Sequence, residues 1–356
     1  MRWFFIAVCG LMMLTACGSG GAGSAVKPDS GPSTVSAKTL DEAEWSKVVD
    51  SANKEGQVTV YGVLNAKLVT ILPEAFHKAY PDITVKYVRL SPADIEARLN
   101  AEIASGNATG DVFDNLANNV VDKMADTGKL VPLALPELAN PEFDRKVNQR
   151  TPYSAYISQT PYAWAWNTKL LPEGIHSWGD FLKLKSSLLG VTDPSIGPAV
   201  VGLYQAMEQP QTGGEGFLDK LFSQGKPQIY AGSNPQVAAL GAGEVAALLP
   251  VPLANVLAAK DGGAPVDFSL YDGSYTIPAE VGVLEGSPHP NAAQVYANWL
   301  LSEDGQKALA AGGIQPIVKS VPPRYDSKGI EFVMDKPLPP KDFTAFQQRW
   351  AKMLAK

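Results

Sequence analysis

Residues 57–113 read QVTVYGVLNAKLVTILPEAFHKAYPDITVKYVRLSPADIEARLNAEIASGNATGDVF, and this stretch decides the fold class. In it, β-rich runs alternate with segments whose apolar residues recur at the spacing of one helix face. The predicted order is strand, helix, strand, helix, strand, over residues 57–62, 66–80, 83–88, 91–106 and 111–113. That order is typical of a parallel α/β sheet, which binds ligands where its strands lead into helices.

Local signals mark the ends of the helices around this stretch. Thr39 followed by Glu42 forms a capping box that predicts a helix start, and Gly56 predicts the end of that helix. Ser91 followed by Pro92 predicts the start of a later helix. The first strand therefore follows directly on a helix.

The α/β pattern returns in the second half of the chain. The predicted elements are strand 162–166, helix 177–182, strands 189–192, 228–230, 244–249 and 281–284, helix 291–301 and a last helix from about residue 341. The two α/β units have similar size and show no repetition of sequence. They predict two lobes that face each other across a cleft, each with a mostly parallel sheet flanked by helices.

The N-terminus has the order of an export signal, with Arg2, an apolar run over residues 3–14 and small residues before Cys17. The run is too short to span a bilayer comfortably. The four residues LTAC at 14–17 resemble the bacterial lipobox. The resemblance implies cleavage before Cys17, acylation of its thiol and anchoring on the outer face of the cell membrane. A plain signal peptide with a chance cysteine is the alternative.

After the predicted signal peptide at 1–16, residues 17–38 form a predicted tether. This segment is rich in Gly, Ser, Ala and Pro and has few large apolar residues, so it cannot bury enough surface to offset its ordering entropy. Cys9, the other cysteine, lies inside the signal. We therefore expect neither a disulfide nor a cysteine metal site in the mature chain.

Composition limits the class of partner. The chain has 356 residues, a formal charge of −6 at pH 7 and no basic run, which argues against nucleic acid. The roughly three hundred residues after the tether are enough for two compact cores. No later segment has the ~18 or more uninterrupted apolar residues of a membrane span, so the lipid would be the only anchor.

Several segments together resemble the bacterial extracellular solute-binding proteins of the ferric, thiamine and phosphonate branch, which have the type II periplasmic-binding fold. The segments follow the order of that family and are VTVY at 58–61, GDVF at 110–113, WNT at 166–168 with SW at 177–178, VTDP at 191–194 and GSPHPNAA at 286–293. They are spread over most of the chain from residue 58 to residue 309.

The resemblance implies a chain that crosses between its lobes twice. The first lobe would comprise residues 39–156 and 278–322, the second lobe residues 157–277, and the tail 323–356 would pack on the outside. A monomer would capture a small solute by hinge closure, and its closed form would dock on the permease of an ABC importer.

Loops at the carboxyl ends of the predicted strands supply most of the candidate ligand-binding residues. The candidates are Tyr61, Asn65, Asn115 and Asn118 on the first lobe, Ser195, Ser233 and Tyr275 on the second, Trp164 near the expected hinge, and Glu280. The turns at 193–197 and 233–235 lead into helices whose first amides attract phosphate, sulfate or carboxylate. An anionic solute would fit these turns, although Ser233 also fits an ordinary N-cap.

Aromatic residues allow two interpretations. Trp164 and Trp166 alternate with alanines in one strand, so one indole face could line the cleft as a stacking platform for a ring or a cation. A strand buried between sheet and helix explains the pair equally well. Phe343, Phe346 and Trp350 of the last helix are interpreted as core packing.

Direct binding of ferric iron is one alternative for the solute. Ferric members of the family typically hold the metal with two consecutive tyrosines, a histidine and an acid. Here residues 248–254 contain no tyrosine, and Asn65 and Leu116 stand where the histidine and the acid are expected. We therefore predict no metal site and no cofactor. An unfamiliar ferric set stays open, consisting of Tyr61, Tyr271, Tyr275 and Glu280.

The sequence lacks the motifs Gly-x-Ser-x-Gly and His-Glu-x-x-His and a phosphate loop. Its three histidines, His77, His176 and His289, fall in a predicted surface helix and two turns. We therefore predict a receptor and not an enzyme, with a cleft hydrolase and a ligand-sensing partner of a signalling receptor as alternatives. The solute stays open among phosphonates, phosphorylated compounds, thiamine, polyamines, sugars and chelated iron.

Overall fold

The computed structural model describes residues 36–64, 66–116, 118–336 and 338–355. The strands are β1 (Gln57–Gly62), β2 (Thr84–Arg89), β3 (Val112–Leu116), β4 (Leu130–Val131), β5 (Ser154–Asn167), β6 (Leu189–Thr192), β7 (Gln228–Tyr230), β8 (Ala247–Pro252), β9 (Val266–Ser269), β10 (Ser274–Leu284) and β11 (Phe332–Met334). The helices are α1 (Glu42–Glu55), α2 (Ala66–Ala79), α3 (Pro92–Ser105), α4 (Asn118–Asp126), α5 (Arg145–Asn148), α6 (Trp178–Phe181), α7 (Pro198–Met207), α8 (Phe217–Phe222), α9 (Ser233–Ala242), α10 (Leu253–Asp261), α11 (Pro290–Leu301), α12 (Glu303–Ala311) and α13 (Pro340–Leu354). Short 3-10 turns occupy Pro136–Ala139, Ser186–Leu188 and Pro194–Ile196.

Within these residues the strands form a mixed sheet in the order β2-β1-β3-β10-β5-β8-β6-β7. Strands β4 and β11 pair with β10, and β9 pairs with β5. Strand β1 is parallel to β2 and β3, and β6 is parallel to β7 and β8. At the centre of the sheet, β5 is antiparallel to β10 and to β8. Strand β10 is also antiparallel to β3. The prediction of an α/β fold is confirmed.

The long strands β5 and β10 connect two halves of the sheet. Ser158 of β5 pairs with Ala279 of β10, whereas Ala165, further along β5, pairs with Leu248 of β8 and Phe268 of β9. We call the half built around β1–β4 the first lobe and the half built around β6–β9 the second lobe. The crossings expected after residues 156 and 277 fall inside β5 and β10, and the lobe boundaries themselves stay predictions.

The first lobe has apolar side chains on both faces of β1. Val58 and Val60 pack in one cluster with Phe76 of α2 and Tyr296 of α11. Tyr61 belongs to a different cluster, together with residues of α3 and α4. Because successive side chains of a strand point to opposite faces, helices cover this strand on both sides.

The core of the second lobe is rich in aromatic rings, and the C-terminal helix completes it. Phe346 and Trp350 of α13 lie against Tyr204 of α7, with ring centroids 5.9 and 4.9 Å from that of Tyr204. Arg349 on the same helix donates to Glu208 and Asp219, at 2.7 Å each. The prediction that the aromatic residues of the last helix pack into the core is confirmed for Phe346 and Trp350.

The capping box predicted for Thr39 and Glu42 is wrong by two residues, because Asp41 caps α1 and Glu44 returns the bond. The Glu44 amide donates to Asp41 Oδ1 at 2.8 Å. The reason is that the chain just before the helix is held extended: Lys38 forms a β-bridge and both donates to and accepts from the backbone of residues 133–135.

Other element boundaries differ less. Ser91 caps α3 as predicted, accepting from the Asp94 amide at 3.2 Å. Helix α9 begins at Ser233 with Gly232 as N-cap, so Ser233 is already helical and does not cap the helix. Strand β8 begins at Ala247, three residues later than the predicted strand at 244.

The predicted signal peptide at 1–16, Cys17 and the tether as far as residue 35 lie outside the described residues. Among the residues described, no helix combines the length and the apolar character needed to cross a membrane. The signal peptide and the lipid anchor stay predictions.

Candidate functional site

Adjoining cavities of about 200, 370 and 640 Å³ open between the two lobes. Arg89 of the first lobe and Asn234 of the second line each of these cavities. The other first-lobe lining comes from the segments that follow β1 and β2, and the other second-lobe lining comes mainly from the starts of α9 and α10. We call this region the cleft. The cleft lies at the carboxyl ends of parallel strands, where open α/β sheets bind their ligands. Its volume is suitable for a small solute.

Arg89 is the last residue of β2, and its side chain is exposed in the cleft. Its Nε atom donates to the carbonyl oxygen of Leu64 at 2.9 Å, which holds the side chain beside the loop that follows β1. Within the described part of the chain, Arg89 forms no ion pair, and its two Nη atoms have no hydrogen-bond partner. The guanidinium therefore brings an uncompensated positive charge to the cleft.

On the facing lobe, Asn255 of α10 holds two residues of the α9 start in place. Its Nδ2 atom donates to Ser233 Oγ at 2.9 Å and to Asn234 Oδ1 at 3.1 Å. These bonds use acceptor atoms only, so the Ser233 hydroxyl hydrogen and the Asn234 amide hydrogens stay available. The first backbone amides of α9 also lack partners within the helix. This wall of the cleft therefore presents hydrogen-bond donors.

Of the residues predicted to bind solute, Ser233 lines the cleft directly. Ser195 is exposed in the turn Pro194–Ile196, next to Ile196, which lines the 640 Å³ cavity. Asn65 lies outside the described residues, and of Asn115 the structure describes only the backbone, in β3.

A family model described as bacterial extracellular solute-binding protein matches residues 72–339. The chain belongs to this family. The family consists of substrate-binding proteins that work outside the cytoplasm, so this solute-binding protein is placed with receptors and not with enzymes. A search of curated proteins found no match.

Solved structures share the fold. The substrate-binding protein of an ABC transporter from Agrobacterium tumefaciens has a TM-score of 0.71 at 18% identity, over 86% of this chain and 97% of that one. Iron-bound HitA from Pseudomonas aeruginosa has a TM-score of 0.62 at 20% identity, over 84% and 99%. The spermidine/putrescine-binding PotD from Streptococcus pneumoniae has a TM-score of 0.66 at 15% identity, over 83% and 98%. These likenesses confirm the two-lobed periplasmic-binding fold.

Tyr61 of the solute-binding protein does not line the cleft cavities. It is fully buried, and its hydroxyl donates to Glu102 Oε1 at 2.6 Å and lies 2.7 Å from Thr109 Oγ1. The Arg98 guanidinium lies 4.7 Å from its ring centroid. The structure therefore places this predicted ligand-binding residue in the core of the first lobe. Its strand is covered by helices on both faces, so the side chain points away from the cleft into the packing against α3.

Asn118 and Glu280 come together, but in a polar network that includes residues of α4, β5 and β10 and does not line the cleft cavities. Glu280 is fully buried, and its Oε1 accepts from Arg150 Nη2 at 2.8 Å while Ser154 donates to Oε2. Burial raises the pKa of Glu280, although the Arg150 charge opposes that shift. The Asn118 side-chain amide donates to the Tyr156 hydroxyl at 3.1 Å, and the backbone carbonyl oxygen of Asn118 accepts from Arg150. The network joins α4 to β5 and β10.

Trp164 and Tyr275 are core residues of the second lobe. Trp164 is 4% exposed and stacks on Tyr271 with ring centroids 4.8 Å apart, so the buried-strand interpretation is correct and the stacking platform is not formed. Tyr275 is 3% exposed and donates its hydroxyl to Asp335. A Cβ at Gly202 of α7 would overlap that hydroxyl, so the absence of a side chain there lets α7 pack against β10.

The structure does not assemble the alternative ferric set. Tyr61 lies in a first-lobe cluster, Tyr271 and Tyr275 lie in the second-lobe core, and Glu280 is paired with Arg150. In the described ranges, no group of three or more His, Cys, Asp or Glu side chains is placed to hold a metal ion.

Sequence reasoning missed Arg89, Asn234 and Asn255. The predicted ligand-binding loops follow residues 61 and 113, whereas Arg89 stands at the end of β2, another strand that leads into a helix. Asn234 lies in the predicted 233–235 turn, of which only Ser233 is a predicted ligand-binding residue. Asn255 follows β8, whose predicted end at residue 249 was too early.

Proposed function

We propose that this protein is the lipid-anchored substrate-binding component of an ABC importer. It captures a small solute in the cleft between its lobes and presents the closed form to a membrane permease. The observation that carries the proposal is that cavities of up to about 640 Å³, lined by both lobes, lie at the strand ends of a chain from a solute-binding family.

The two central strands support closure by a hinge. Because β5 and β10 run through both lobes, a change of twist in their middle would rotate one lobe against the other. Register irregularities occur in this stretch, between Ala279 and Glu280 of β10 and between Ala163 and Ala165 of β5. Such bulges interrupt a ladder locally, and that makes them suitable bending points.

An ion pair across the cleft supports a stable closed form. Lys67 of α2 and Asp261 of α10 lie 2.6 Å apart, Nζ to Oδ2, and Arg324 donates to both oxygens of the same carboxylate at 3.0 Å. These side chains are about one-third exposed, so the pair adds little affinity by itself and mainly orients the lobes.

A thermal-shift screen of the purified protein tests this proposal, with phosphonates, sugar phosphates, thiamine, polyamines, sugars and ferric chelates as ligands. A ligand at ~100 times its dissociation constant adds roughly 2.7 kcal/mol of stability. Ser233→Ala and Asn255→Ala should then lower the affinity for the solute identified in the screen. The loss should reach about a hundredfold where a buried hydrogen-bond partner is left unpaired. Ser223→Ala, at the end of α8 and away from the cleft lining, is the matched control.

The proposal fails if a solute binds with equal affinity to the parent and to both cleft variants while all three remain folded. Turnover of a bound compound by the purified protein would also contradict it. Genes for a permease and an ATPase beside this one would support the importer assignment, whereas a neighbouring sensor kinase gene would favour a signalling role.

A further inference from the structure

The charges that line the cleft do not cancel. Lys67, Arg89 and Asp94 are the ionisable side chains among the described residues that line the cavities. Lys67 and Arg324 share the carboxylate of Asp261, and Asp94 keeps its negative charge although it accepts a hydrogen bond from the neutral Ser91 hydroxyl at 2.7 Å at the start of α3. Arg89 has no carboxylate within ion-pair distance in the described structure, although the whole chain has a net charge of −6. The lining therefore carries two cations against one carboxylate, and of the two cations Arg89 is the one without an ion-pair partner in the described structure.

The geometry of Arg89 leaves its binding edge open. The bond from Nε to the Leu64 carbonyl holds the planar group on one side, and neither Nη atom has a hydrogen-bond partner among the described residues. A guanidinium held in this way can donate two parallel hydrogen bonds to one oxyanion, the geometry it adopts with carboxylate and phosphate. If closure removed water from this charge without supplying an anion, the unpaired cation would oppose closure.

The facing lobe complements such an anion with further donors. Ser233 and Asn234 use their acceptor oxygens for Asn255, which leaves the hydroxyl hydrogen and the amide hydrogens for a ligand. The two walls therefore offer donors from opposite sides, one charged and the other neutral. An acceptor-rich group can accept from both walls at once, whereas a donor-rich group finds no acceptor on the Arg89 guanidinium.

We propose that the solute carries an oxyanion, of the phosphate, phosphonate, sulfonate or carboxylate class, which Arg89 binds across the cleft from Ser233 and Asn234. The inference rests on the proposed function, since it names the class of solute for the same cleft. It sets aside the cationic alternatives thiamine and polyamine, because each would bring a positive charge to an unpaired guanidinium. Arg89 is then a specificity-determining residue.

The test compares probes that differ in charge. The full chain, purified in detergent, is titrated with inorganic phosphate, 2-aminoethylphosphonate and glucose 6-phosphate, and with uncharged glucose, thiamine and spermidine, all at millimolar concentration. At least one anionic probe should stabilise the protein, and binding should weaken as salt is added. Glucose 6-phosphate against glucose isolates the contribution of the oxyanion.

Variants of Arg89 assign the effect to this side chain. Arg89→Gln should lower the affinity for the anionic probe by roughly 10- to 100-fold, because a charge-assisted hydrogen bond is lost. Arg89→Lys should retain part of the affinity, since it keeps the charge and loses the planar fork. Lys86→Gln, an exposed cation on the same strand that does not line the cavities, is the charge-matched control and should leave binding unchanged.

The outcomes separate this inference from the proposed function. If no anionic probe binds, or if Arg89→Gln binds it as tightly as the parent, the oxyanion inference is overturned. If instead thiamine, spermidine or glucose binds and Ser233→Ala weakens it while Arg89→Gln does not, solute capture in the cleft stands and only the class of solute is wrong. A bound solute that no cleft variant affects contradicts both.

Discussion

Lys67 Nζ lies 2.6 Å from Asp261 Oδ2, and this ion pair joins helix α2 of the first lobe to helix α10 of the second. Hydrogen bonds from Arg324 and Lys67 keep the pKa of Asp261 well below its ordinary range. The carboxylate therefore stays ionised in mild acid, and the pair persists there. It lies at the edge of the 370 Å³ cavity, which Lys67 lines.

Removing the lobe-to-lobe pair should favour the open form. We expect Lys67→Gln to increase the radius of gyration of the unliganded protein in small-angle scattering and to weaken solute binding a few-fold. Lys307→Gln, which breaks the Lys307–Glu303 pair within α12, is the control and should change neither quantity. An unchanged scattering curve for Lys67→Gln would show that the pair does not bias closure.

Tyr61 should matter for stability and not for affinity. Tyr61→Ala should lower the free energy of unfolding by about 3–5 kcal/mol, as expected for a large buried side chain. Tyr61→Phe should cost about 1 kcal/mol, because Glu102 loses one donor but keeps Thr109 and Arg98. Urea denaturation measures both, with Ile103→Ala as an exposed control on α3. Loss of solute binding by a Tyr61→Phe variant of normal stability would contradict this assignment.

Asp114 should make stability depend on pH. Burial raises its pKa to about 7, although the Tyr87 hydroxyl donates to it at 2.5 Å. A carboxyl whose pKa is raised on folding stabilises the fold below its ordinary pKa, and this contribution is lost as pH rises through the folded value. Between about pH 5 and pH 8 the stability of the parent should therefore fall, at up to ~1.4 kcal/mol for each pH unit below the folded pKa, and should level off above it.

Asp114→Asn resembles the protonated form and should remove most of that pH dependence. Urea denaturation at the two pH values gives the comparison, and Asp126→Asn, at an exposed position at the end of α4, serves as control. An equal decline in the parent and in Asp114→Asn would assign the pH dependence to another group.

Cys17→Ser should release the protein from the membrane without altering the fold, because Cys17 precedes every described element. Cys9→Ser is the matched control, since Cys9 lies in the predicted signal and should be absent from the mature protein. Phase partitioning in detergent measures the anchor. A Cys17→Ser protein that still partitions with the membrane fraction would contradict the lipobox prediction.

The alternation of strand and helix signals was sufficient to predict the fold, because period and turn chemistry are local properties. Ser91 caps its helix as predicted. Site residues were harder to predict, since the direction of a side chain depends on what covers the strand. Tyr61 occupies a strand end but is buried by α3, and Trp164 alternates with alanine yet faces a core.

Ser233 lines the cleft as predicted because helix starts follow strand ends in this fold, whereas Arg89 stands at the end of a strand for which no ligand contact was predicted. The proposed role of Arg89 depends on the absence of an ion-pair partner for its guanidinium among the described residues. Ion pairing depends on tertiary neighbours, so no local sequence pattern predicts it. The tertiary neighbours of Asn255 were equally hidden, since they lie 21 and 22 residues away in sequence.

Strand β10 sits between β3 and β5 in the sheet, although about 160 residues separate it from β3 along the chain. The growing polypeptide therefore carries an unpaired β3 edge until strands β6 to β9 of the second lobe have been synthesised. Pairings between distant segments close slowly, and an open strand edge invites association with other chains. The first lobe cannot complete its sheet as an early, independent folding unit, so a truncation before residue 274 should yield an aggregation-prone fragment and not half a receptor.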